Sequence, residues 1–300
     1  MKTRSVNKAR FVSKRYYLAF EGKKTEQVYF GALEKNRVFS KNVCTIRFIR
    51  GPAESSNSHP TNIVKMVGDY IRLQTEGVYS VDLFINNVLD ELRETKQLRF
   101  SNDEAPAMGR LLRKELEKMG LVEGRTIKDT SLAIVVAEEH FKKERNLAAI
   151  AIDLSAYKEP HYQNCENDDY CIIVDRDQGN FFPEQVEEVI NTCERENYRL
   201  FITNPYFEMW LLLHFDVPKE VIIKRSMELH GLKEELAKYS KINTEYTDVS
   251  NEYVPAVKIA MEKLENYAQD LSKLKELTSP DSIGSNIGEL MTELISGRTV

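Results

Sequence analysis

The stretch DDYCIIVDRD, residues 168–177, decides how this chain folds. Its centre, YCIIV at 170–174, is apolar throughout, too short for a surface helix, and bounded by aspartates that favour turns. That pattern predicts a strand buried on both faces, as parallel strands covered by helices are. The strand delivers Asp175, Arg176 and Asp177 just beyond its C-terminal end, where open α/β sheets hold their ligands.

The segments on either side repeat the theme. Upstream, YYLAF at 16–20 stops at Glu21-Gly22, after which Thr25, Glu26, Val28, Tyr29, Phe30 and Leu33 recur at helical spacing. CTIRFI at 44–49 alternates apolar with polar as a second strand, ended by Gly51-Pro52 and a Ser/Asn-rich loop to Pro60. Thr61 or Asn62 caps a helix with Ile63, Val64, Val67 and Ile71 on one face. Downstream come a helix at 183–193 with proline in its first turn, a strand at 198–203 closed by Asn204-Pro205, and an apolar helix at 207–215. An amphipathic helix at 257–277, with Leu264, Leu271 and Leu274 inward, and a last helix at 283–295 complete the chain. Strand and helix in alternation predict an α/β fold with a parallel sheet flanked by helices. Residues 74–167 break the rhythm with helical patterns at 81–98, 108–119 and 134–152. They read as a mostly helical inserted subdomain for recognition or homo-oligomerisation, leaving 1–73 and 168–300 as one discontinuous α/β domain.

With 300 residues, 42% hydrophobic and 30% charged, the chain is too apolar for a disordered protein and too charged for a membrane-embedded one. No stretch nears the roughly 18 apolar residues of a spanning helix, and the basic N-terminus leads into no signal-peptide core. The four cysteines form no CxxC pair and read as reduced thiols, so the expected location is cytoplasmic, with no membrane partner. The net charge is −5, yet residues 1–24 carry eight Lys/Arg against one acid, Glu21. A local basic arm can neutralise phosphates whatever the total charge, which makes Lys8, Arg10, Lys14 and Arg15 candidate nucleic-acid contacts, with solvation of a frayed terminus as the alternative.

The chemistry is expected at the strand ends. Asp175 and Asp177 leave their strand pointing the same way, and Glu21 leaves the first strand at the equivalent edge, so the three carboxylates converge if these strands are neighbours. Oxygen ligands without histidine suit Mg²⁺ or Mn²⁺, which polarise a phosphodiester and orient water. Lys23 and Lys24, at the helix start beyond Glu21, could meet a phosphate there. Glu208 lies in an apolar helix, where a carboxylate requires a basic partner or a metal. Glu26, in the first turn, reads as a capping carboxylate, and His214 as a core histidine with its hydrogen bonds satisfied.

Three stretches together closely resemble the RloB family: EGKKTE at 21–26 followed by Tyr29-Phe30, IIVDRD at 172–177, and NPYFEMWLLLHF at 204–215. The closing SPDSIGSNIGELMTELI at 279–295 is also similar to that family's C-terminal helix, and the long insert departs from the family pattern. The resemblance implies a divergent TOPRIM-like sheet and a metal-dependent nuclease site with Glu21, Asp175 and Asp177 as ligands. It places Glu208 and Lys24 as supports at the site edge. It further implies a role in bacterial antiviral defence beside an ABC-type ATPase, with DNA or RNA, transfer RNA among the candidates, as substrate. A non-catalytic nucleic-acid-binding or scaffold subunit and a receiver- or phosphatase-like protein remain the alternatives, since paired acids at strand ends serve those as well.

Overall fold

The computed structural model describes residues 14–22, 25–46, 60–101, 104–157, 168–177, 181–239, 257–267, 277–279 and 282–296. In chain order the elements are β1 (Arg15–Phe20), α1 (Thr25–Lys35), β2 (Asn42–Ile46), α2 (Pro60–Glu76), α3 (Val81–Glu94), α4 (Ala105–Lys118), β3 (Val122–Glu123), β4 (Thr126–Ile127) and α5 (Thr130–Glu144). There follow β5 (Asp169–Asp175), α6 (Pro183–Arg195), β6 (Arg199–Asn204), α7 (Glu208–Leu212), α8 (Lys219–Ser226), α9 (Gly231–Leu236), α10 (Val257–Tyr267), β7 (Gly284–Ser285) and α11 (Ile287–Ile295).

The main sheet has the order β2-β1-β5-β6-β7, parallel except for β7, which pairs antiparallel to β6. This is the α/β architecture the strand and helix alternation predicts. Period-2 alternation divides the strand side chains between two cores. Tyr16, Leu18, Phe20, Cys171, Ile173 and Phe201 face the core built with α1, α7 and α11, whereas Ala19, Ile172, Val174, Leu200 and Ile202 face α2 and α6. Both faces are covered, so β1 and β5 are apolar at nearly every position.

Two helices differ from the sequence expectation. The apolar run at 207–215 is regular helix only over α7, after which Leu213, His214 and Phe215 each donate their backbone N–H to the carbonyl three residues back, tightening the turn. At the C-terminal end the helix begins at Ile287, not at residue 283, because the preceding residues bind β6. The Asn286 side chain accepts from Ile202 N at 2.7 Å and donates to Leu200 O at 3.1 Å, and the hydroxyls of Ser285 and Thr203 meet at 2.9 Å. Ser and Asn bond backbone readily outside helices, and here a sheet edge accepts them.

The inserted region contributes α3, α4, the β3–β4 hairpin and α5 around its own hydrophobic cluster, which includes Phe84, Leu89, Leu112, Leu116 and Phe141. α3 and α5 end before the patterns at 81–98 and 134–152 do, α4 starts three residues before the pattern at 108–119, and the hairpin was not foreseen, since two-residue strands carry no readable period.

Candidate functional site

Leaving β1, the chain runs to β2 on one side, then crosses back through α2 and the inserted region to β5 on the other. The order of strands therefore reverses between β1 and β5, and open α/β sheets bind ligands beyond the strand ends at that switch point. The register sets Phe20 beside Ile173, so Glu21 stands level with Val174 and Asp175 lies one residue further on.

The two acids interlock. Glu21 Oε2 accepts the Asp175 backbone N–H at 3.0 Å, and Asp175 Oδ1 accepts the Phe207 N–H, at the start of α7, at 2.9 Å. Three chain segments thus meet at Asp175. Burial pushes its carboxyl well above the usual carboxylate range, and the charges of Glu26, Glu21 and Glu208, in that order, push it further. Four carboxyl groups consequently share one neighbourhood.

Glu26 is the member that sequence reasoning missed. It is buried, and its Oε1 accepts the Gly22 N–H at 3.2 Å, a bond that closes the turn ahead of α1. The same folding back carries its charge to Asp175. Gly22 makes this possible: a Cβ there would stand 1.8 Å from Glu26 Oε2. The readable signal was the pairing of Gly22 with an acid four residues on.

Asp177 stands at the rim of this cluster, its Oδ1 accepting the hydroxyl of Tyr206, which also feels the charges of Asp175 and Glu208, at 3.4 Å, and its carbonyl accepting Phe181 N–H at 2.8 Å. Between the aspartates, Arg176 is 2% exposed and donates to the carbonyls of Thr278, at 2.8 Å, and Phe181. Asn204 Nδ2 donates to the carbonyls of Leu277 and Ser279 at 2.9 and 2.8 Å, after which a cis peptide joins it to Pro205. Arg176 and Asn204 therefore hold three consecutive carbonyls of 277–279 against the site edge. Glu208 is 5% exposed, and burial raises its pKa. Its basic neighbour is Lys233 on α9, with Nζ 3.9 Å from Oε1 and 5.9 Å from the Tyr206 ring centre.

Lys14 and Arg15 stand at the opposite end of β1. Lys14 pairs with Asp169 at 2.9 Å, which raises its pKa, and the Arg15 guanidinium donates to Tyr17 Oη at 3.0 Å. These two are not brought to the acids. Lys8, Arg10, Lys23 and Lys24 lie outside the described residues. His214 is the core histidine expected: its Nδ1 lies 3.0 Å from Trp210 O and its Nε2 3.0 Å from Tyr29 Oη.

The donor set suits a hard divalent cation, being oxygen only and mutually repulsive. As they stand among the described residues, no three Asp, Glu, His or Cys side chains are grouped closely enough to hold a metal ion, and Glu21 and Asp175 each commit one oxygen to a backbone N–H. No described helix is long and apolar enough to cross a membrane.

A family model described as RloB-like protein matches residues 16–294. No curated protein and no solved structure matches the chain.

Proposed function

The chain belongs to the RloB-like family, and from that premise we propose that it is a metal-dependent nuclease whose centre is the acid cluster at the β1/β5 switch point. The observation that carries the reading is Asp175, a buried carboxyl pressed by three further carboxylates at the one sheet edge where this topology opens a ligand site. A cluster of this kind gains most from an exchangeable cation. Glu21, Asp175 and Asp177 would hold Mg²⁺ or Mn²⁺, with Glu26 and Glu208 close by. Bound there, the ion would polarise a phosphodiester and generate a water nucleophile.

The protein's own residues prepare that edge. The bonds from Asp175 N to Glu21 and from Phe207 N to Asp175 fix which oxygens face outward. Tyr206 steers Asp177, while Lys233, beside Glu208, offers positive charge to an anionic substrate at the rim. Through the family resemblance we extend the proposal to an ATPase partner and a role in bacterial defence.

The backbone bonds that occupy Glu21 and Asp175 favour a second reading, in which the acids are structural and the chain is a non-catalytic subunit. Melting and cleavage assays on wild type and Asp175→Asn, with and without excess Mn²⁺, separate the two. The nuclease reading expects Mn²⁺ to raise the wild-type Tm and to support cleavage of DNA or RNA, with both responses absent in Asp175→Asn. A wild type whose melting ignores Mn²⁺, together with a variant that still cuts, would sink it.

A further inference from the structure

A groove of about 570 Å³ lies on the far face of the sheet from α7, between α2 and α6, with the β3–β4 turn over one end. Both helices follow parallel strands, so both run from the acid-bearing edge back toward the opposite edge. The groove shares that direction. Its upper end, at Thr61 and Asn62, lies toward the acid edge, and its lower end gathers Arg72, Arg125 and Arg195 from three separate elements. Lys65 lies between them. Four cations and three acids, Asp69, Glu188 and Glu196, thus line the groove, and the three arginines cluster at its lower end.

Two of the arginines are loosely engaged, and the third is bonded to its chain neighbour. Arg72 meets Glu76 at 3.7 Å, Arg125 meets Asp82 at 3.8 Å, and Arg195 meets its chain neighbour Glu196 at 2.9 Å, all with exposed guanidiniums. Exposed ion pairs of this kind contribute little and exchange readily for a phosphate, whose oxygens match the guanidinium fork. Between the helices, Tyr198 Oη lies beside Gly68, 3.6 Å from where a Cβ would stand, so the phenol reaches across from the start of β6 to α2. Burial pushes that phenol up to about 12, and it remains a hydrogen-bond donor at neutral pH. The volume falls within the range of about 300–1,000 Å³ typical of small-molecule pockets, enough for nucleotide units and far larger than one ion requires.

We infer that the α2/α6 groove binds the phosphate groups of a nucleic-acid strand and leads that strand to the acid edge. The inference rests on nucleic acid being the substrate of the proposed site. It assigns to the inserted hairpin, through Arg125, a part in holding that substrate.

The test is fluorescence anisotropy with a labelled single strand of about 12 nucleotides, RNA and DNA in turn, in EDTA so that binding is read without cleavage. Wild type should bind with a steep salt dependence. The combination Arg72→Gln, Arg125→Gln and Arg195→Gln should weaken binding about tenfold or more and lower the log–log salt slope by about 2 to 3, since each lost phosphate contact removes roughly 0.7 to 0.9. Lys118→Gln, on α4 and outside the groove, should change neither. Should the triple variant melt without cooperativity, Arg125→Gln alone, in an exposed turn, should still lower the slope by about 0.7. Unchanged slopes in the groove variants, or a wild type that binds neither strand, would overturn the inference. So would a wild type that binds a nucleoside triphosphate through these arginines and ignores the strands. Mn²⁺-supported cleavage is scored separately: cutting without groove dependence removes only this inference, and groove binding without cutting removes only the nuclease reading.

Discussion

Glycine at position 22 gives the Glu26 carboxylate the space that any larger side chain would fill. Gly22→Ala should therefore expel Glu26 from the cluster, and a displacement of about 1 Å at such a site can cost about 10²-fold in rate. Cleavage and the Mn²⁺ shift in Tm should fall together, as they should in Glu26→Gln. Two buried groups give opposite pH signatures. Asp175 has its folded-state pKa raised, so its contribution to stability is fully present below the ordinary carboxylate range and is lost as pH rises through the raised value. In metal-free wild type the Asp175 contribution should fall as pH climbs above about 4, and Asp175→Asn, which keeps an oxygen for Phe207 N–H, should lose less, the buried Glu208 still contributing with the same sign. His214 works the other way. The Trp210 carbonyl can only accept, so Nδ1 carries the proton and Nε2 accepts from Tyr29, and burial lowers its pKa from 6.5 to about 3. Its contribution is complete above pH 6.5 and is lost on acidification toward pH 3, up to roughly 5 kcal/mol by linkage. His214→Phe should flatten that acid limb in denaturation curves taken from pH 7 to 3; an unaltered limb would contradict the assignment.

Among the elements, α11 is held to the sheet by charge as well as by apolar contact. Arg199 on β6 forks to both Glu293 carboxylate oxygens at 2.7 and 2.8 Å and reaches Asp169 at 3.0 Å, which also takes Lys14. The bidentate bond keeps Glu293 below the usual carboxylate range. Arg199→Met should cost about 1–3 kcal/mol, because Glu293 and Asp169 would lose a partly buried shared partner. Hydrogen exchange should rise first in α11 and β7. The network also accounts for Lys14, which the basic composition of the N-terminus marks as a phosphate contact and which the fold turns toward its own sheet.

At the scale of the whole molecule, the inserted region keeps its apolar side chains largely to themselves. Its cluster draws only Leu73 from α2, with a bond from Gln74 Nε2 to Tyr157 O at 3.1 Å beside it. Replacing residues 78–157 with a short linker should leave the α/β body with a cooperative melt, lowered by about 1–3 kcal/mol for the exposure of Leu73. Aggregation, or loss of a single transition in calorimetry, would place the region in the body's core. If the groove inference holds, the same deletion removes Arg125 and weakens strand binding without unfolding the site.

The sequence by itself determined the four parallel strands β1, β2, β5 and β6, the order in which they alternate with helices, and the acids that stand at the ends of β1 and β5. Each of these is written within a few neighbouring residues: YCIIV is apolar because both of its faces are buried, and Asp175 follows it because the chain must leave the sheet there. Only the tertiary structure decided that β1 and β5 are neighbours, so that Glu21 receives a hydrogen bond from a residue 154 positions away. It also decided that Glu26 folds back into the cluster, that Asp177 turns to Tyr206, and that residues 284–285 pair as a strand. Those outcomes depend on which surfaces the crossovers bring together, and local periodicity reports what a segment buries without naming what it is buried against.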